Sequence, residues 1–225
     1  EKRRHSTRRD LDLVDCGVCH EAIAAEQKRS LHGQAALRGD PMAPSCADCH
    51  GTHDILSASD AQAPTAVMNV PLLCGDCHRE GSPVSRTHEI QQDRILENYS
   101  MSIHGEGLYR QGLIVTATCN DCHSTGGSAH KILAPGNQVS AINHFNIPST
   151  CGQCHKGIAN DYNEGIHGKL AARGEVDVPV CTDCHGEHGI LSPDDPLSPV
   201  SGSKVAEMTC SPCHESAVLN EKYGI

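Results

Sequence analysis

Residues 16–57 read CGVCHEAIAAEQKRSLHGQAALRGDPMAPSCADCHGTHDILS, and residues 151–192 read CGQCHKGIANDYNEGIHGKLAARGEVDVPVCTDCHGEHGILS. The two align without a gap, with twenty-one of forty-two positions identical. Each copy holds two Cys-x-x-Cys-His runs thirty residues apart. Each also has a His-Gly pair sixteen residues after the first Cys, a further His seven residues after the third, and a closing Ile-Leu-Ser. A repeat of this kind marks a structural unit used more than once.

Working outward, every Cys in the chain falls in the same pattern. The seven runs are Cys16/Cys19/His20, Cys46/Cys49/His50, Cys74/Cys77/His78, Cys119/Cys122/His123, Cys151/Cys154/His155, Cys181/Cys184/His185 and Cys210/Cys213/His214. This is the attachment signature of haem c: two thiols add to the vinyl groups on one porphyrin edge, and the following imidazole turns onto the iron. Disulfides leave the invariably following His without a role. Zinc ribbons combine Cys pairs two by two, and seven is odd. The expectation is seven haem c groups, with the motif histidines as proximal iron ligands.

Composition points the same way. The chain has 225 residues, no Trp, one Phe and four Tyr, too few aromatics for an ordinary core of this size. Seven porphyrins would fill that interior. Gly and Pro are abundant, and only about 22–31, 88–98, 157–164 and 214–222 read as helical, with each motif His on a helical turn. The expected fold class is therefore mostly coil with short α-helices, a haem-packed multihaem cytochrome with little or no β-sheet.

The middle of the chain is a stretched copy of the repeat, opened by Cys74 and Cys119, with His104-Gly105 and His130 in the corresponding places and an insertion mainly between His78 and His104. The organisation reads as a basic arm (1–15), three two-haem modules (16–73, 74–150, 151–209) and an orphan seventh motif (210–225). Nine histidines lie outside the motifs: His5, His32, His53, His88, His104, His130, His144, His167 and His188. Six recur at repeat positions, namely His32, His53, His104, His130, His167 and His188, and are expected to be the distal ligands of the six module haems. Which serves which iron stays open at this point. The orphan haem on His214 is left to His5, His88 or His144, to another molecule, or to no distal ligand. Met42, Met68, Met101 and Met208 share no repeat position and read as packing residues.

The formal charge of −10 disfavours nucleic acid as a partner. Lys2, Arg3, Arg4, Arg8 and Arg9 concentrate positive charge in the first nine residues, as a solvated tail or as an arm for an acidic neighbour. No apolar run approaches the ~20 residues of a membrane span; the longest lies around Leu113 to Ala117. Haem c is attached after export, so residue 1 reads as the start of a mature or trimmed chain in the periplasm or outside the cell.

With its Ser-x-His-Gly and Cys-His-Gly-x-His-x-Ile-Leu segments, the region 16–214 resembles the periplasmic and extracellular multihaem cytochromes of metal-reducing and sulfur-metabolising bacteria and archaea. The resemblance implies electron transport along closely packed haems. Some members polymerise into filaments, or nanowires, in which a His of one subunit ligates a haem of the next. The partners it implies are other copies of the chain or redox proteins. The other readings are a soluble shuttle, an electron-transfer subunit of a larger complex, and a reductase with an open seventh haem. The chain has no Cys-x-x-Cys-Lys and is short for the multihaem reductases, so no catalytic residue is expected.

Overall fold

The computed structural model describes residues 14–88, 90 and 92–224. The basic arm with His5 lies outside the described residues. The chain is roughly half helical, and no helix exceeds nine residues. The one sheet among the described residues pairs β1 (Ser124–Thr125) with β2 (Ser128–Ile132) as an antiparallel hairpin. Gly126 and Gly127 make its turn at φ +69° and +77°, a region open chiefly to glycine.

Helices lie at Glu21–Arg29, Ile95–Met101, Lys156–Glu164 and Ala217–Tyr223, close to the expected positions except that the second starts later. Absent from the sequence reading are the short helices that carry the His-Gly pairs: Leu31–Leu37, Ile103–Tyr109 and Ile166–Ala171. These follow the preceding helix after a single residue, at Ser30, Ser102 and Gly165. Ser30 and Ser102 act in both directions. The hydroxyl donates to the carbonyl of Gln27 or Tyr99, and accepts from the amide of Gly33 or Gly105. One side chain thus closes the first helix and caps the second.

The glycine after each of these histidines has a steric reason. A Cβ on Gly33, Gly105 or Gly168 would lie well inside contact distance of the backbone carbonyl of Gln27, Tyr99 or Tyr162. The second helix rests directly on the end of the first, and only glycine permits the approach. The His before it is thereby held at a fixed angle to the helix pair.

The apolar core is small. Among the described residues the buried apolar side chains are Ala63, Ala66, Tyr99, Leu108, Leu133, Ile147, Val178 and Val180, six of them larger than alanine. Twenty-one large apolar side chains stand exposed. Polar ties do much of the positioning instead. Asn69 and Asn146, each five residues before a motif Cys, donate their amides to the carbonyls of Ala61 and Ala63, and of Gln138 and Ser140. Tyr99 and Tyr162 donate to Ala117 and Pro179 at 2.9 and 3.0 Å, tying the helix before each His-Gly pair to the strand of chain entering the next motif.

Candidate metal centres

The motifs sit at helix starts or ends. His50, His78, His123, His185 and His214 close short helices, whereas His20 and His155 stand at the N-caps of Glu21–Arg29 and Lys156–Glu164. The second motif of each module has Asp between its cysteines. Asp48, Asp121 and Asp183 reach back to accept the amides of Ser45, Thr118 and Val180 at 2.7, 2.7 and 2.6 Å. This half of a capping box satisfies an amide that the helix leaves unpaired. Asp121→Ala should cost about 1 kcal/mol, read as a lowered midpoint in denaturant unfolding; Asp76→Ala, outside such a box, serves as the control.

The first motif is built differently from the others. Cys16 opens a single 3-10 turn, Cys16–Val18, and Cys19 caps its C-terminal end, with the Cys19 amide donating to the Cys16 carbonyl at 3.3 Å. Sequence alone places the attachment cysteines around groups that fill the interior. The polypeptide by itself leaves Cys19, Cys46, Cys77, Cys154 and Cys210 exposed. The physical reason is the small core: the protein's own side chains are too few to cover these thiols, and Cys19 lies between the exposed Val18 and the exposed His20.

Neighbouring thiols define the order of the motifs in space. Burial and then Cys16 push up the Cys46 thiol; burial, Cys74 and Cys77 act on Cys49; Cys74 acts on Cys119. Cys154 acts on the half-buried Cys122, Cys151 on Cys181, and Cys210 and Cys213 on Cys184. Each motif is therefore beside the next one in sequence, and the seven form a row from Cys16 to Cys213. None of the fourteen cysteines is in a disulfide.

Five motif histidines face a second imidazole. His78 faces His32 with ring centroids 6.2 Å apart, His50 faces His130 at 5.9 Å, and His155 faces His104 at 6.1 Å. His123 faces His188 at 6.0 Å and His214 faces His167 at 6.1 Å. Rings in van der Waals stacking stand closer than this. Two imidazoles bonded through one nitrogen each, at about 2 Å, to opposite sides of one metal have centroids about 6 Å apart. No group of three or more His, Cys, Asp or Glu that could hold a metal ion occurs among the described residues. A metal centred on one of these pairs would take two protein ligands and need its remaining donors from elsewhere.

Burial lowers the pKa of His32, His50, His78, His104 and His188, and in His123 burial, His188 and His78 together bring it down to about 4. These rings are therefore neutral near pH 7, with a nitrogen lone pair available. His188 Nδ1 donates to Gln92 Oε1 at 2.6 Å, which fixes the tautomer and leaves the ring's lone pair on Nε2. Gln92 in turn donates its amide to Glu187.

No protein-family model and no solved structure matches the chain. The assignment of a function therefore rests on the residues themselves.

The structure brings five of the six repeat histidines against motif histidines and does not bring His53 against one. For His214 it departs from the expected sources. Among the described residues His167 stands opposite it, and His88 and His144 do not; His5 lies outside them. His88 has both ring nitrogens engaged, Nε2 with Asp40 at 2.7 Å and Nδ1 with the Thr87 hydroxyl at 2.9 Å, so it presents no lone pair. His144 packs edge-on against Phe145 at 5.1 Å, away from the motif histidines. The sequence reading gives His167 to a haem within modules one to three. The His-Gly histidine that follows one motif instead faces the motif two further along the chain.

Proposed function

We propose that the chain is a heptahaem c-type cytochrome that conducts electrons along a row of closely spaced haems. The observation that carries this reading is the set of five motif histidines opposed at 5.9–6.2 Å by histidines from other modules. The covalent signature alone calls for one porphyrin per motif; the opposed rings supply each of five irons with a second axial imidazole. The exposed apolar side chains next to three of these histidines, Leu31, Ile103 and Ile166, fit a large flat apolar group that would cover them.

When bound, haem supplies a reversible one-electron couple. The residues of this chain do the rest. Paired thiols would tether each group, and at five motifs the opposed imidazoles would hold it from both sides, an arrangement that would change little on reduction. Gln92 holds one imidazole in its ligating tautomer, and the order of the motifs sets the order of the row. One motif for roughly every thirty-two residues leaves too little protein to insulate one group from the next. Attachment of haem c implies export, so the proposed setting is the periplasm or the cell exterior. The proposed partners are redox proteins or further copies of the chain, with no nucleic acid. No helix among the described residues is long and apolar enough to cross a membrane.

The purified protein should carry seven haems by alkaline pyridine absorbance and by intact mass; six or fewer in fully matured protein would sink the proposal. His167→Ala should leave all seven attached and convert one haem, that on His214, from low-spin to high-spin in the oxidised magnetic-resonance spectrum. An unchanged low-spin spectrum would reject His167 as its ligand.

A further inference from the structure

The five opposed pairs obey one rule. Each His-Gly histidine faces the first motif of the following module: His32 faces His78, His104 faces His155, and His167 faces His214. Each histidine seven or more residues after the second motif's first Cys faces the second motif of the preceding module: His130 faces His50, and His188 faces His123. Ligands thus pass forward between first motifs and backward between second motifs; four pairs join two modules and the fifth joins the third module to the seventh motif.

Continued by one step at each end, the backward series has two loose members. His53 is the equivalent of His130 and His188 but belongs to the first module, and among the described residues it faces no motif histidine. It is exposed, held only at Nδ1 by the neighbouring Thr52 hydroxyl at 3.0 Å. His185 is the equivalent of His50 and His123 but belongs to the third module, and no described histidine stands opposite it. It is half-buried beside His155, and burial and His155 keep its ring neutral. A ligand without an iron and an iron-binding His without a partner lie in opposite end modules.

On the haem reading above, we propose that His53 ligates a haem of another two-haem module preceding this one, and that the haem on His185 takes the equivalent histidine of a module following it. His53 and His185 are complementary halves of the same junction that joins modules one to two and two to three. The chemistry asked of the partner is an imidazole three residues beyond a Cys-x-x-Cys-His run, as in His53 itself. It can come from a second copy of this chain or from a further module of the same polypeptide.

The test counts open irons. Carbon monoxide binds a ferrous haem with a free axial position and leaves one with two imidazoles alone, so titration of the reduced, dilute 225-residue protein counts open positions per chain. The haem on His185 should contribute one of them: Cys181→Ser/Cys184→Ser, with six haems, should bind one carbon monoxide fewer than the parent, while His53→Ala should bind the same number. No decrease in the first variant, or an increase of one in the second, would overturn the proposal, because His185 or His53 would then be ligated within its own chain. The source is read from concentration. Loss of one open position per chain as oligomers form in sedimentation, prevented by His53→Ala, identifies a second copy; a constant number in a monomer identifies a further module. A haem count other than seven in the parent would instead reject the haem reading, and it is measured on the same samples.

Discussion

Produced without haem attachment, the same 225 residues should be unfolded at 25 °C, with a far-ultraviolet spectrum lacking most helical signal and no cooperative transition in urea. Six buried apolar side chains larger than alanine are a very small core for this length, since burial of such side chains is the main favourable term in folding. The helices cannot hold themselves, because none exceeds nine residues and isolated helices shorter than about 12–15 residues are marginal in water. The exposed ion pairs, such as Lys222 with Asp177 at 2.7 Å, contribute little. On the proposed reading, what remains is the tethering of each motif to a large apolar group, held at five of them by a second imidazole, so that ligand binding and folding would be one event. A cooperative unfolding transition in the haem-free chain would show that the protein core suffices and would remove this argument.

Gly105→Ala should be among the most damaging single methyls that can be added. Its Cβ would meet the Tyr99 carbonyl and the backbone of Ser100, neither of which is a flexible side-chain end, and the site is buried together with Leu108 and Ser102. Overpacking against backbone of this kind costs on the order of 3 kcal/mol, which for a chain of this size lowers the melting temperature by about 10 °C. The functional effect is more diagnostic. Forcing the helices Ile95–Met101 and Ile103–Tyr109 apart moves His104 off His155, so one haem should become high-spin. Gly136→Ala, where a Cβ meets nothing within 4 Å, should change stability by less than about 0.5 kcal/mol and leave the spectrum as it was. Equal effects from the two substitutions would show that the helix contact does not position His104.

The small effect expected of Asp121→Ala beside the large one of Gly105→Ala separates two roles in the repeat. The Asp of the second motif supports a local helix start. The Gly after a repeat histidine controls where that histidine arrives, dozens of residues away from the motif it faces.

Taken alone, the sequence determined what is local in this protein. The Cys-x-x-Cys-His spacing is set by the reach of two thiols and one imidazole on a single turn of chain, so Cys119, Cys122 and His123 can be read without knowing anything about the fold. The repeat made His32, His104 and His167 equivalent, and poverty in aromatics foretold a core too small to stand alone. Short helices in a largely irregular chain were legible as well, but the His-Gly helices were not, because seven residues after a tight turn carry no clear periodicity. Tertiary structure alone decided the pairing. His32 and His78 are forty-six residues apart, and His167 and His214 forty-seven, with loops between them that carry no signal of direction. Which imidazole stands opposite which motif depends on helix crossings fixed by Gly33, Gly105 and Gly168 and on the row in which successive thiols meet, and both are contacts between segments rather than properties of any one of them.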